Sequence, residues 1–223
     1  MNRKAAFIFT MAASVLLATN IPGCDDNTSS SVGDVQRLAT IDERFNLGEF
    51  DYARTAMQQY IKNYPQSVDG WNLLGWTYAK TDELDKANES FDKSLQLDPK
   101  NDNAYVGKGV IFRKQGNNEQ AKASYLKAIE IKPNNAEAFS SLMTIEIMAG
   151  NNDKAVEFGE RAWALRKDLA GIPANLAIGY HLIGDHAKRE LFFEKAKSMK
   201  YHNMEGLKDI FDGKTEIPVN KKQ

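Results

Sequence analysis

Few residues in this chain have types and spacings that support chemistry, and most of those fail on their surroundings. The three histidines, His181, His186 and His202, lack the i, i+4 placement and the acidic companions of a zinc site. No metal is expected. Gly107-Lys108-Gly109 sets a lysine between two glycines, yet no P-loop, dinucleotide or Gly-x-Ser-x-Gly pattern surrounds it. The acid pairs Asp82-Glu83 and Asp25-Asp26 read as turn and tether. The expectation is no enzyme, no cofactor and no small-molecule substrate. A formal charge of −1 leaves no basic footprint for nucleic acid. Cys24 is the single cysteine, which excludes an intramolecular disulfide and leaves a thiol whose position calls for another use.

The segment before Cys24 supplies one. Arg3 and Lys4 precede an uncharged, mostly apolar run, Ala5 to Thr19, fifteen residues long. A membrane-spanning helix needs about twenty apolar residues; a shorter run behind a basic start suits an export signal. The run leads into Ile21-Pro22-Gly23-Cys24, which resembles the lipobox of bacterial lipoproteins, although Pro22 departs from the usual small residue there. The resemblance implies a signal peptide over 1–23, acylation of Cys24 and a polar tether over 24–33. More than one acyl chain gives stable anchoring. It also implies a cell-envelope protein facing the periplasm. Asp25 resembles an inner-membrane retention signal, and the choice between inner and outer membrane stays open.

Beyond the tether the chain repeats. Trp71, Leu74, Gly75, Tyr78, Ala87, Phe91, Ser94 and Pro99 recur 34 residues later as Tyr105, Lys108, Gly109, Phe112, Ala121, Tyr125, Ala128 and Pro133. Seven of the eight pairs keep their size class. Weaker copies flank them without insertion, giving units 34–67, 68–101, 102–135, 136–169 and 170–203. A turn residue recurs at position 15 of each, as Gly48, Asp82, Gly116, Gly150 and Gly184. This pattern resembles the tetratricopeptide repeat. The resemblance implies an all-α fold, a right-handed superhelical solenoid of five helical hairpins.

The spacing has physical reasons. Small residues at positions 8, 20 and 27 let paired helices approach, and bulky ones at 4, 7, 11 and 24 fill the space between them. Glycine at position 15 permits the turn, and proline at 32 stops the second helix. Helix pairs are expected near 36–47/51–63, 70–81/85–97, 103–115/119–131, 136–149/153–166 and 173–183/187–199, with Asn134, Asn152 and Asp153 as N-caps. Met204, Leu207, Ile210 and Phe211 form an apolar stripe, so 204–212 reads as a capping helix and 213–223 as a polar tail. The aromatic series Trp71, Tyr78, Phe91, Tyr105, Phe112 and Tyr125 falls on core positions, not on a base-stacking platform. Unit four breaks the pattern with Met143, Glu146 and Gly159; Met143 would fill the space beside Gly159, and Glu146 would need solvent or a cation such as Arg161 or Arg166. That joint is expected to be the softest.

In the tetratricopeptide family the first helices line a concave groove. The matching positions here include Phe45, Asn72, Trp76, Val106, Val110, Arg113, Lys114, Thr144, Ile147, Ile178 and His181. The carboxylate clamp of the chaperone-binding members is missing, because Asn72 and Val106 stand at its lysine position and Trp76 and Val110 at its asparagine position. Trp76 has two readings, a partner anchor or a packing residue against the adjacent hairpin; Arg113 is a partner contact or a solvated side chain. The resemblance implies a scaffold that holds a protein or peptide by side-chain contacts, as in pilotin-type lipoproteins or cell-wall hydrolase adaptors. An accessory subunit of a polysaccharide synthesis or export machine is the alternative.

Overall fold

A computed structural model describes residues 32–217. Cys24, the expected signal 1–23, most of the expected tether and residues 218–223 lie outside the described residues. The described residues form eleven helices and no strand: α1 (Val32–Asn46), α2 (Phe50–Asn63), α3 (Val68–Lys80), α4 (Leu84–Leu97), α5 (Asp102–Lys114), α6 (Asn118–Ile131), α7 (Ala136–Met148), α8 (Asn152–Leu165), α9 (Gly171–Leu182), α10 (His186–Ser198) and α11 (Met204–Phe211). The first ten pair into five hairpins, each packed on the next in a superhelical stack, and α11 packs on α9.

The register is written into the backbone at position 15 of every unit and into a cap at position 34 of all but the fourth, where Leu169 offers none. At position 15 the backbone is left-handed, with φ 83° at Gly48, 63° at Asp82, 79° at Gly116, 74° at Gly150 and 78° at Gly184. This conformation lets the amide of the following residue reach back to a carbonyl of the first helix, as in Asn117 N to Phe112 O at 2.8 Å and Asn151 N to Glu146 O at 2.9 Å, which closes the helix end. At position 34 a short polar side chain caps the next first helix. Ser67 Oγ accepts from Gly70 N at 3.1 Å, Asn101 Oδ1 from Ala104 N at 3.1 Å and Asn135 Oδ1 from Ala138 N at 2.9 Å. The cap is thus Asn135, not Asn134. Asn152 and Asp153 are already helical, and Asn151 at the cap position makes no side-chain cap bond.

Small-against-large packing closes the second and third hairpins. A Cβ on Gly75 would come within 2.7 Å of the Phe91 ring, and one on Gly109 within 2.5 Å of Tyr125. Gly107, the other glycine beside Lys108, faces Phe91 from the next hairpin, where a Cβ would overlap the ring. The Gly-Lys-Gly segment is therefore a packing seat inside α5. Phe91 and Tyr125 are fully buried, each contributing about 1.5–3 kcal/mol by its burial.

Hairpin four solves its irregularities in two ways. Met143 fills the space at Gly159, whose Cβ would meet its sulfur. Glu146 is fully buried, and its cation is neither Arg161 nor Arg166: Lys122 of α6 lies 2.5 Å from its Oε1, while Asn151 donates to Oε2 at 2.7 Å. Arg161 instead lies over the Phe139 ring, and Arg166 pairs with Asp168 at 2.8 Å. Two boundaries also differ from expectation. Helix α1 begins at Val32, inside the expected tether. The start of the expected tail is held, with Lys214 paired to Asp212 at 2.9 Å and Ile217 packed against the C-terminal core.

Candidate protein-interaction groove

The first helices of neighbouring hairpins touch one another directly, α1 with α3, α3 with α5 and α7 with α9, whereas no two second helices are joined to that degree. In a curved stack the crowded side is the inner one. The expected groove positions lie on these inner helices, and the structure gives them three different environments.

Some are interior. Asn72 is 7% exposed, Val106 3% and Ile147 6%. Their side chains fill the joints between helices, so the structure corrects their placement as open groove residues.

Others tie inner helices together. Trp76 packs edge-on against Phe91, with ring centroids 5.4 Å apart, and its indole Nε1 donates to Asn103 Oδ1 at 3.1 Å. The packing reading of Trp76 is thus realised, and its side chain stays partly exposed. Lys114 reaches from α5 to the end of α3, donating to Ala79 O at 3.0 Å and pairing with Asp82 at 2.9 Å. Thr144 Oγ1 accepts from Asn175 Nδ2 at 3.4 Å. These bonds form a rail of polar links along the inner side.

The rest face outward from the inner surface. Phe45 and Val110 are half-buried, and Lys80, Asn103 and Arg113 are exposed. Lys80 and Arg113 have no ion pair among the described residues. Arg113 also lies by the buried Tyr125, whose hydroxyl is pushed up by burial against the opposing influence of Ser141 and Arg113. Toward the amino end, Asp42 is raised above the usual carboxylate range by partial burial, and Asn46 donates to it at 3.1 Å.

The row of inner helices ends under α11, which packs on α9. The His181 ring lies 5.0 Å from the Phe211 ring, and Arg189 sits 5.3 Å over Phe211. Burial, then the charges of Arg189 and His186, lower the His181 pKa. Ile178 packs in the same cluster as Leu207 and Phe211. Both residues are contacts of the capping helix α11, whereas sequence position alone had put them on an open groove wall. The apolar stripe at 204–211 was the signal, because a covering helix must lie on something.

No group of three or more His, Cys, Asp or Glu side chains among the described residues is arranged to hold a metal ion. No helix among them is long and apolar enough to cross a membrane.

Family models described as tetratricopeptide repeat and TPR repeat match residues 38–102 and 109–142. Mitochondrial import receptor subunit TOM70 of Homo sapiens is 29% identical over 66 residues, 30% of this chain. The chain spans 11% of the length of that relative. Among solved structures, PilF of Pseudomonas aeruginosa superposes with a TM-score of 0.70 at 16% identity, covering 81% of this chain and 85% of that one. MamA superposes at 0.58 with 21% identity, covering 82% and 97%. At these identities the superpositions speak for the fold alone.

Proposed function

This chain belongs to the tetratricopeptide-repeat family, and we propose that it is a non-catalytic scaffold that holds a segment of a partner protein along its inner helices. Its repeats are those of a protein-interaction scaffold. The observation that supports the groove assignment is that Lys80, Asn103 and Arg113 of the inner helices are exposed, with Phe45 and Val110 half-buried on the same set of helices. Charged and amide groups select and orient a segment there, and apolar surface gives it area to bury. The partner is a protein or peptide rather than a nucleic acid or small molecule.

The scaffold is held at the bacterial cell envelope, facing the periplasm, by lipid on Cys24. The support is the basic start, the apolar run and the lipobox-like Ile21–Cys24. A role in pilus, secretion or cell-wall assembly is the finer form of this reading, and the likeness to PilF adds the shared fold to it.

Two variants test the two halves separately. Lys80→Glu/Arg113→Glu should abolish co-purification of the partner while leaving the helical content unchanged. An undiminished partner yield contradicts the groove. Cys24→Ser should release the protein from the membrane fraction, and continued membrane association contradicts the anchor.

A further inference from the structure

The outer side of the stack is not uniform. Between α2 and α4, floored by α3, lies an open cleft of ≈ 610 Å³ whose base is Trp71, Leu74 and Tyr78. Lys62, Lys86 and Lys93 stand around its mouth with one acid, Glu89. The same place one, two and three repeat steps along the chain shows how such a gap is otherwise closed. Between α4 and α6, Lys108 replaces Leu74, pairs with Asp92 and leans on the Phe112 ring. In the fourth and fifth hairpins Phe158 and Phe192 take the position of Ser90. Phe158 packs on Phe139 at 6.1 Å, and Phe192 stacks on Tyr180 at 5.5 Å. At the first joint neither device is present. Leu74 carries no charge to send across, and Ser90 turns its hydroxyl into its own helix, donating to Lys86 O at 2.8 Å.

We propose that this outer cleft between α2 and α4 is a second binding site, which takes an acidic peptide segment of a partner protein carrying an apolar side chain. The apolar residue lies on Trp71, Leu74 and Tyr78, and the flanking carboxylates pair with Lys62, Lys86 and Lys93. Lys62 and Lys93 have no ion pair among the described residues; Lys93 donates to Gln96 Oε1 at 3.1 Å, an exposed contact that a carboxylate can replace. Lys86 is shared with Glu83 at 2.7 Å and lies 5.5 Å over the Tyr78 ring. Charge complementarity selects the occupant: with Lys86 shared with Glu83, Lys62 and Lys93 still outnumber Glu89, in a chain whose formal charge is −1 overall. A concave floor suits a side chain rather than a flat bilayer.

The test is fluorescence anisotropy of a labelled short peptide of alternating Glu and Leu, titrated with the full chain, beside the Lys/Leu counterpart. Binding of the Glu/Leu peptide alone is expected, weakening as salt rises. Lys62→Glu/Lys93→Glu should reduce affinity roughly tenfold or more, and Glu89→Lys should raise it. Ser90→Phe, the closure used by the fourth and fifth hairpins, should block binding while the chain stays folded. Lys80→Glu/Arg113→Glu on the inner side should leave it unchanged, which separates this site from the groove. Equal binding of both peptides, or wild-type affinity in both the Lys62→Glu/Lys93→Glu and Ser90→Phe chains, would overturn the proposal. So would loss of anionic-vesicle binding in those variants with no peptide binding in the wild type.

Discussion

The indole Nε1 of Trp76 donates to Asn103 Oδ1 at 3.1 Å, so one side chain on α3 fastens the inner helices of the second and third hairpins. Its ring also packs on Phe91. A residue that shapes the groove is thus also part of the stack that forms it.

Trp76→Ala should therefore lower stability by about 3 kcal/mol, the low end for loss of a large aromatic from packing, in urea unfolding. Trp76→Phe keeps most of the ring contact and should lose about 1 kcal/mol with the hydrogen bond. Equal losses for the two would show that the contact with Asn103 and Phe91 is not what Trp76 contributes.

Gly107→Ala tests the seat of Phe91. The added methyl overlaps the ring, and overpacking of this kind costs about 1–3 kcal/mol, against about 1 kcal/mol gained in helix propensity. A net loss is expected, with partial recovery in Gly107→Ala/Phe91→Leu. A stabilised single variant would contradict the packing described.

Lys122→Met leaves the buried carboxylate of Glu146 with only Asn151, and breaking such a pair should cost about 3 kcal/mol. Lys122→Met/Glu146→Leu should recover most of that loss, since an apolar pair avoids burying charge. Hydrogen exchange in α7 and α8 should rise in the single variant and return in the double. If the single variant unfolds no more easily than wild type, the pair does not join the third and fourth hairpins.

Glu83 gives the chain a pH dependence at its first joint. Hydrogen bonds from Lys86, Thr81 and Arg54 lower its pKa from 4.5 to about 2. A depressed carboxylate stabilises the fold above its unfolded pKa, and that contribution is lost as pH falls from 4.5 toward about 2. Glu83→Gln should flatten acid destabilisation in that window. A carboxylate resonance titrating near 4.5 would contradict the bonding around Glu83.

The hairpins were legible because their determinants are local and periodic: a left-handed turn residue every 34 positions, and small residues facing Phe91 and Tyr125. The groove was only partly legible. Position along a helix says which way Val106 or Ile147 points, but the curvature that buries them comes from the contact of one inner helix with the next. Ile178 and His181 illustrate the same limit, since they are covered by α11, a segment outside the repeat. Lys122 was missed as the partner of Glu146 because it comes from the preceding hairpin, while Arg161 and Arg166 were nearer in sequence. The outer cleft leaves a signal only when Ser90 is compared with Phe158 and Phe192 down the column of repeats.

The most direct test of the scaffold reading is photo-crosslinking in cells from a probe residue placed at Arg113 on the inner side, compared with one at Glu157 on the exposed face of α8. The account predicts a discrete protein adduct from position 113 and little from 157, with the purified partner binding roughly tenfold more weakly to Lys80→Glu/Arg113→Glu. Adducts from position 157 alone, or unchanged affinity in that variant, would contradict it.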